Sequence, residues 1–119
     1  MIKEKVKFGV IGLGHIGKKH VNCILNNKTC ELIAIADKLS LEQIENKSKA
    51  DLSYLSNYEY YTNIKDFFKN KDIQVVNICV PNGLHYSIAL EALLNKKHVL
   101  VEKPMTLKSK NANILVKTA

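Results

Sequence analysis

The feature that most constrains the fold is a glycine pattern between an apolar run and a helical stretch. Gly12, Gly14 and Gly17 have the spacing GxGxxG directly after the run Val6–Ile11 (VKFGVI). A helical period follows, and Asp37 stands twenty residues after Gly17, at the end of a second apolar run. GxGxxG alone is a weak signal. Strand, glycine turn, helix and acidic residue in this order are the full sequence context of a dinucleotide-binding βαβ unit.

Each glycine has its own role in such a unit. Gly12 permits a tight turn, Gly14 lets the backbone approach a pyrophosphate without a Cβ in the way, and Gly17 lets the helix pack closely on the strand. The helix N-terminus then offers unpaired N–H groups and a partial positive charge to the phosphates. The alternative is a glycine turn with a structural role only.

Asp37 is the candidate for choosing the cofactor. Its carboxylate is expected to accept hydrogen bonds from the adenosine ribose hydroxyls and to repel a 2′-phosphate, which favours NAD. Lys38 is the competing signal, because its ammonium attracts such a phosphate, so NADP stays open. The alternative for Asp37 is a loop carboxylate at a strand end.

Apolar β-branched runs and helical periods alternate along the whole chain, which is typical of a parallel sheet covered by helices. The predicted strands are Val6–Ile11, Leu32–Ala36, a short edge strand near Tyr60, Val75–Val80 and His98–Val101. The predicted helices are Ile16–Leu25, Leu41–Ala50 with Ser40 as N-cap, a short one at 66–68, and one lined by Leu84, Ile88 and Ala92. On the first helix, Ile16, His20 and Ile24 should share one face. The fold class is therefore α/β, a Rossmann-type doubly wound parallel sheet in three αβα layers.

Length and composition fit one cytoplasmic domain, residues 1–119. The chain has 119 residues, of which 46% are hydrophobic and 24% charged, enough to bury a core. It contains no run near the roughly 20 apolar residues of a membrane span and no signal-peptide pattern. The three cysteines are odd in number and not spaced as CxxC, which argues against disulfides and a metal site. A helical stretch at 109–119 has no stop signal, so we expect a fragment of a longer protein.

The net charge of +7 does not indicate nucleic-acid binding. All 18 basic residues are lysines, scattered along the chain, and none is an arginine. Arginine is the side chain best suited to guanine edges and phosphates, so these lysines are interpreted as a solvated surface.

Two further motifs follow predicted strands at the carboxyl edge of the sheet, where ligands bind in such folds. In the first, Pro81 should end the strand, while Asn82 and His85 are candidates for cofactor contact. The alternatives are a helix N-cap for Asn82 and a packing or surface role for His85. In the second, Glu102 and Lys103 stand before a proline, and a lysine there can hydrogen-bond a substrate hydroxyl during hydride transfer. The alternative is a surface ion pair.

With these motifs in order, the chain closely resembles the N-terminal domain of the Gfo/Idh/MocA oxidoreductases, the family of glucose–fructose oxidoreductase and inositol 2-dehydrogenase. The matching stretches are VIGLGHIGKKH (10–20), IAIAD (33–37) and VVNICVPNGLHYSIALEALLNKKHVLVEKPM (75–105). The resemblance implies a Rossmann domain followed by a second α/β domain with an open antiparallel sheet. It also implies NAD(P)-dependent oxidation or reduction of a CH–OH group in a sugar, inositol or nucleotide sugar.

The same resemblance implies roles for individual residues. Around the cofactor it places Gly12, Gly14, His15 and Ile16 at the pyrophosphate, Asp37 at the adenosine ribose, Val80, Pro81, Asn82 and His85 along its border, and Glu102 near the nicotinamide ribose. Lys103 is the implied catalytic residue, contacting nicotinamide ribose and substrate, and the bond before Pro104 is implied to be cis. The family's catalytic aspartate and histidine belong to the second domain.

We therefore expect the 119 residues to bind NAD weakly and to catalyse nothing alone, because one wall of the active site lies in another domain. Two alternatives are an NAD(H)-binding regulatory module without catalysis and an interaction protein that has lost the site. Neither nucleic acid nor membrane is an expected partner. A homo-oligomer is expected. If a sixth strand normally pairs beside His98–Val101, this chain leaves an apolar edge unpaired, which invites dimerisation.

Overall fold

A five-stranded, all-parallel sheet with the order β3-β2-β1-β4-β5 forms the centre of the molecule. The computed structural model describes residues 4–101, so the predictions for Glu102, Lys103, Pro104 and the 109–119 helix lie outside the described residues. The strands are β1 (Val6–Ile11), β2 (Cys30–Ala36), β3 (Glu59–Tyr61), β4 (Val75–Ile78) and β5 (His98–Val101). The helices are α1 (His15–Leu25), α2 (Leu41–Ser48), α3 (Ile64–Phe68) and α4 (His85–Leu94). One-turn 3-10 helices cover Ser53–Asn57 and Asn82–Leu84.

Helices cover both faces of the sheet, as predicted. Val10 packs with α1 and α2 residues such as Val21 and Ile44, whereas its neighbour Ile11 packs with α3 and α4 residues such as Phe67 and Ala89. Successive strand residues point to opposite faces, so a strand buried on both sides is mostly apolar. The described part of the chain contains no helix with the length and apolar character needed to cross a membrane.

The strand order places a crevice beside β1. The chain moves outward from β1 to β3 and then returns to the other side of β1 to form β4. The connections leaving β1 and β4 therefore diverge to opposite faces of the sheet. In parallel α/β sheets, ligands bind at the carboxyl ends of the strands at such a switch point.

Ser40 caps α2, as the sequence predicts. Its Oγ accepts a hydrogen bond from the Gln43 backbone N at 3.2 Å, and its own N donates to Gln43 Oε1 at 2.8 Å, which completes a capping box. The helix ends at Ser48, two residues earlier than predicted, because Lys49 adopts a left-handed conformation with φ 54°.

Ile16, His20 and Ile24 share one face of α1, as predicted, since all three line one open groove. The side buried against the sheet overlaps this face only at Ile24. It contains Gly17 and Val21 as well, whereas Ile16 is 43% exposed. Gly17 sets the orientation of α1. The side of the helix at Gly17 has no Cβ and comes nearest the strand, so the preceding Ile16 is turned outward.

The predicted lining of α4 is confirmed at Ala92, which is buried, and at Ile88, which packs against the core. Leu84, in contrast, precedes the helix as its N-cap residue and is 36% exposed, and His85 and Ala89 are further buried positions. Asn82 is therefore not the N-cap; it opens the preceding 3-10 turn. Periodicity placed the helix correctly but could not show that a 3-10 turn begins it.

Lys97 is a buried cation at the amino edge of the sheet. Its Nζ donates to the carbonyl oxygens of Asn70 at 2.8 Å and Ile73 at 2.9 Å, joining the turn before β5 to the turn before β4. Burial lowers the pKa of Lys97, and the negative charge of Asp72 opposes this effect.

We expect Lys97→Met to lower the free energy of unfolding by about 1–3 kcal/mol, because two carbonyl groups lose their donor. The unfolded chain binds more protons than the folded one between the lowered pKa of Lys97 and its ordinary value of 10.5, so this lysine makes stability rise with pH in that window. Urea unfolding at several pH values should show that this pH-dependent part of the free energy of unfolding is lost in Lys97→Met. Lys71→Met, at an exposed lysine nearby, is the control, and equal stability of both variants would contradict the assignment.

Gly9 makes room for an aromatic ring in the middle of β1. A Cβ at this position would lie 2.6 Å from Phe67 Cζ and 3.2 Å from Ile73 Cδ1. We expect Gly9→Ala to cost about 1–3 kcal/mol through overpacking. Combined with Phe67→Leu it should cost less than the sum of the two single changes, as measured in a double-mutant cycle by urea unfolding. Gly83→Ala, whose Cβ would meet nothing within 4 Å, is the matched control. Strict additivity would contradict this account.

Candidate functional site

The turn between β1 and α1 is built on a backbone contact. Gly12 has φ +94°, and a Cβ there would lie 2.5 Å from the Cys79 carbonyl oxygen. Its N donates to the Ala36 carbonyl oxygen at 2.7 Å, so this one residue touches the chain that leaves β4 and the end of β2. Only glycine satisfies both the positive φ and the close approach.

Gly17 is needed for packing of α1 on this turn. A Cβ on Gly17 would overlap the Gly12 carbonyl oxygen. The first and third glycines of the motif are therefore in contact with each other, in agreement with the role predicted for close helix–strand packing.

Gly14 faces open space. It is the N-cap residue of α1, and a Cβ there would meet nothing within 4 Å. No side chain caps this helix end, and its first turn contains no acidic residue. His15 and Ile16 are exposed beside it. The result is an open helix N-terminus with a partial positive charge, which suits a phosphate group.

Asp37 ties the glycine turn to the end of β2. Its Oδ2 accepts a hydrogen bond from the Leu13 N at 2.8 Å, and its Oδ1 accepts one from the Leu39 N at 2.9 Å. Its own N donates to the Tyr61 carbonyl oxygen at 3.0 Å. The carboxylate is thus bonded directly to the glycine turn. The bond to Leu39 is the Asx turn typical of an Asp in a loop, whereas no sequence signal pointed to the bond with Leu13.

The turn after Asp37 is held from β3. The Tyr60 hydroxyl donates to the Leu39 carbonyl oxygen at 2.7 Å. Burial, and secondly the negative charge of Asp37, raise the pKa of Tyr60. Lys38 is exposed in this turn. Sequence reasoning missed Tyr60, since a tyrosine on an edge strand carries no signal of such a contact.

The segment after β4 lies beside the glycine turn. β4 ends at Ile78, two residues earlier than predicted, and Cys79 N then donates to the Ile11 carbonyl oxygen at 2.8 Å. Val80 Cγ1 would lie 3.2 Å from a Cβ on Gly12. Pro81 accepts a hydrogen bond from the Leu84 N at 2.9 Å through its carbonyl oxygen and so starts the 3-10 turn.

His85 holds this turn in place. Its ring is 1% exposed, and Nε2 donates to the Val80 carbonyl oxygen at 2.7 Å. Of the roles considered from the sequence, the structure shows packing. A contact between His85 and a cofactor stays a prediction.

The structure thus brings together the glycine turn, Asp37 and the segment at Val80 on the carboxyl edge of the sheet. These groups fit NAD: an open helix end for the pyrophosphate, and a carboxylate bonded to the same turn for a ribose. Within residues 4–101, no group of three or more histidine, cysteine, aspartate or glutamate residues could hold a metal ion.

Comparison with known proteins agrees with this geometry. Residues 6–119 match the GFO_IDH_MocA family model, described as an oxidoreductase family with an NAD-binding Rossmann fold. The chain belongs to the Gfo/Idh/MocA oxidoreductase family. Inositol 2-dehydrogenase of Salmonella typhimurium is 30% identical over 102 residues, which cover 84% of this chain and 29% of that protein. The chain thus spans about three tenths of the length of this curated relative.

Solved structures of other proteins have the same fold. The scyllo-inositol dehydrogenase of Lactobacillus casei superposes with a TM-score of 0.81 at 28% identity, over 99% of this chain and 34% of that one. The WlbA dehydrogenase of Bordetella pertussis, solved with NADH and UDP-GlcNAcA, superposes with a TM-score of 0.81 at 24% identity, over 97% of this chain and 34% of that one. The predicted Rossmann fold and family membership are therefore confirmed.

We expect substitutions in the glycine motif to affect protein stability and cofactor binding separately. Gly14→Ala should leave the free energy of unfolding within about 1 kcal/mol of the parent, since its Cβ enters open space, yet weaken NADH binding at least tenfold. Gly12→Ala should lose about 2 kcal/mol or more through its positive φ and the contact with Cys79. Urea unfolding and calorimetric titration measure the two effects. Unchanged NADH affinity in Gly14→Ala would place the pyrophosphate elsewhere.

Proposed function

We propose that this chain is the nucleotide-binding part of an NAD(P)-dependent oxidoreductase acting on the CH–OH group of a sugar, inositol or nucleotide sugar. The observation that carries the proposal is the hydrogen bond from Leu13 N to Asp37 Oδ2, which joins the phosphate-binding turn to the ribose-binding carboxylate. The inositol dehydrogenases described above support an inositol or sugar as the substrate. WlbA, solved with UDP-GlcNAcA, supports a nucleotide sugar.

The chain's own residues would hold the cofactor along the carboxyl edge of the sheet. The α1 N-terminus with Gly14, His15 and Ile16 would bind the pyrophosphate, and Asp37 the adenosine ribose. Toward its nicotinamide end, the cofactor would be bordered by Val80, Pro81, Asn82 and His85. The nicotinamide, when bound, supplies the hydride acceptor or donor.

Lys103 is the proposed catalytic residue. It stands two positions after Val101, and Val101 pairs with Ile78 at the carboxyl end of β4. Its position in the sequence, shortly after β5, supports a role at the proposed cofactor site. Its ammonium would hydrogen-bond the substrate hydroxyl and hold it for proton removal, while Glu102 would lie near the nicotinamide ribose.

Catalysis by the intact protein requires a second domain. The relatives are about three times longer than this chain, and proximity effects depend on both walls of a site. We propose that the 119 residues bind cofactor weakly and are inactive alone, and that the intact protein is a homo-oligomer. The alternative function is an NAD(H)-binding regulatory module, which would bind cofactor without any oxidoreductase activity.

The proposed cofactor is NAD rather than NADP, and the charge of Asp37 supports this choice. A 2′-phosphate beside Asp37 would bring two negative charges together in a half-buried turn, and like charges at such distances repel strongly. Lys38 is exposed next to Asp37 and is the group that would oppose this repulsion.

The test is calorimetric titration of the 119-residue chain with NADH and separately with NADPH. We expect NADH to bind at least about tenfold more tightly, and Asp37→Asn to remove most of this preference because the charge is lost while the size is kept. Glu31→Gln, which neutralises an exposed carboxylate at the start of β2, is the matched control and should bind like the parent. Tighter binding of NADPH would assign the choice to Lys38, and binding of neither would contradict the proposed cofactor role.

A further inference from the structure

Tyr60 reaches from the edge strand to the turn that carries the cofactor-selecting acid. Its ring packs with the core on the α1 and α2 side of the sheet, and its hydroxyl donates to the Leu39 carbonyl oxygen at 2.7 Å. Burial and the charge of Asp37 both raise the pKa of Tyr60, so the hydroxyl keeps its proton and remains a donor at neutral pH.

Leu39 connects this hydroxyl to the carboxylate. Its carbonyl oxygen accepts from Tyr60, while its N donates to Asp37 Oδ1 at 2.9 Å. Both backbone polar groups of one residue are thereby fixed, one by β3 and one by the acid at the end of β2. A shift of Leu39 would therefore release one of the two oxygens that hold Asp37 in place.

The far side of the same turn is fixed as well. The hydroxyl and N of Ser40 are committed to the capping box of α2. Lys38, the one basic residue of the turn, thus has its backbone between two anchored neighbours. Without the anchor at Leu39, the 37–40 turn could bring the Lys38 ammonium toward a 2′-phosphate.

We propose that Tyr60 is a positioning residue that sets the preference for NAD by holding Leu39, and through it Asp37 and the Lys38 backbone. The inference rests on the proposed dinucleotide binding but assigns a role to a residue outside the glycine motif and the acid. The neighbouring Tyr61 does not share this role, because its hydroxyl donates to Glu59 Oε2 at 2.6 Å.

The first measurement is the ratio of the NADPH and NADH dissociation constants in Tyr60→Phe, by calorimetric titration of the 119-residue chain. One neutral hydrogen bond corresponds to a factor of about three to ten, so NADH affinity should fall by that factor. NADPH affinity should fall less or rise, so the preference for NADH shrinks. A merely structural role would weaken both cofactors equally.

Tyr54→Phe is the matched control. It removes another tyrosine hydroxyl, which donates to Asn22 Oδ1 at 3.3 Å, on the exposed side of α1. It should change neither dissociation constant. Equal ratios in Tyr60→Phe and Tyr54→Phe would overturn the proposal while leaving NADH binding by the parent intact.

A second measurement is independent of any cofactor. Amide hydrogen exchange of Leu39, whose N is bonded to Asp37, should accelerate about tenfold in Tyr60→Phe relative to the parent and stay unchanged in Tyr54→Phe. If the parent binds no dinucleotide, the proposed function fails, and the Leu39 exchange rate still decides whether Tyr60 holds the turn. Unchanged exchange in Tyr60→Phe overturns the inference.

Discussion

The backbone contact at Gly12 is the constraint on which the site depends. Its Cα lies against the Cys79 carbonyl group on one side, and its own carbonyl oxygen lies against Gly17 on the other. The end of β1, the segment leaving β4 and the start of α1 are thereby brought within van der Waals distance at the point where the strand order reverses. A side chain at either glycine would separate them and open the crevice.

This close packing explains which features could be predicted. The strands followed from apolar runs, since a strand covered on both faces buries side chains in both directions, as Val10 and Ile11 show. The glycine roles followed from steric limits on the backbone, which hold in any protein. The N-cap role of Ser40 followed from the need of a helix N-terminus for a hydrogen-bond acceptor.

The remaining features depend on tertiary contacts, which the spacing of apolar residues along the sequence does not reveal. The rotation of α1 is set by Gly17 against the turn, so Ile16 faces outward although its spacing from Ile24 fits one apolar face. Asparagine is a favoured N-cap residue, but Asn82 opens a 3-10 turn, and Leu84 at the end of that turn is the N-cap residue of α4. Tyr60 contacts Leu39 across 21 positions in sequence, and no local pattern records that pairing.

Asp37 has a structural role in the turn, and that role bears on the cofactor binding proposed for it. Two backbone N–H groups, from Leu13 and Leu39, already hold its oxygens, so the carboxylate has a fixed position without a ribose. Each carboxylate oxygen can accept more than one hydrogen bond, so both keep acceptor capacity for ribose hydroxyls. A side chain fixed in advance loses less conformational entropy when the ligand binds. The interactions that close the glycine turn therefore also fix the acid in advance, so the proposed cofactor choice would depend on the same contacts that stabilise the fold.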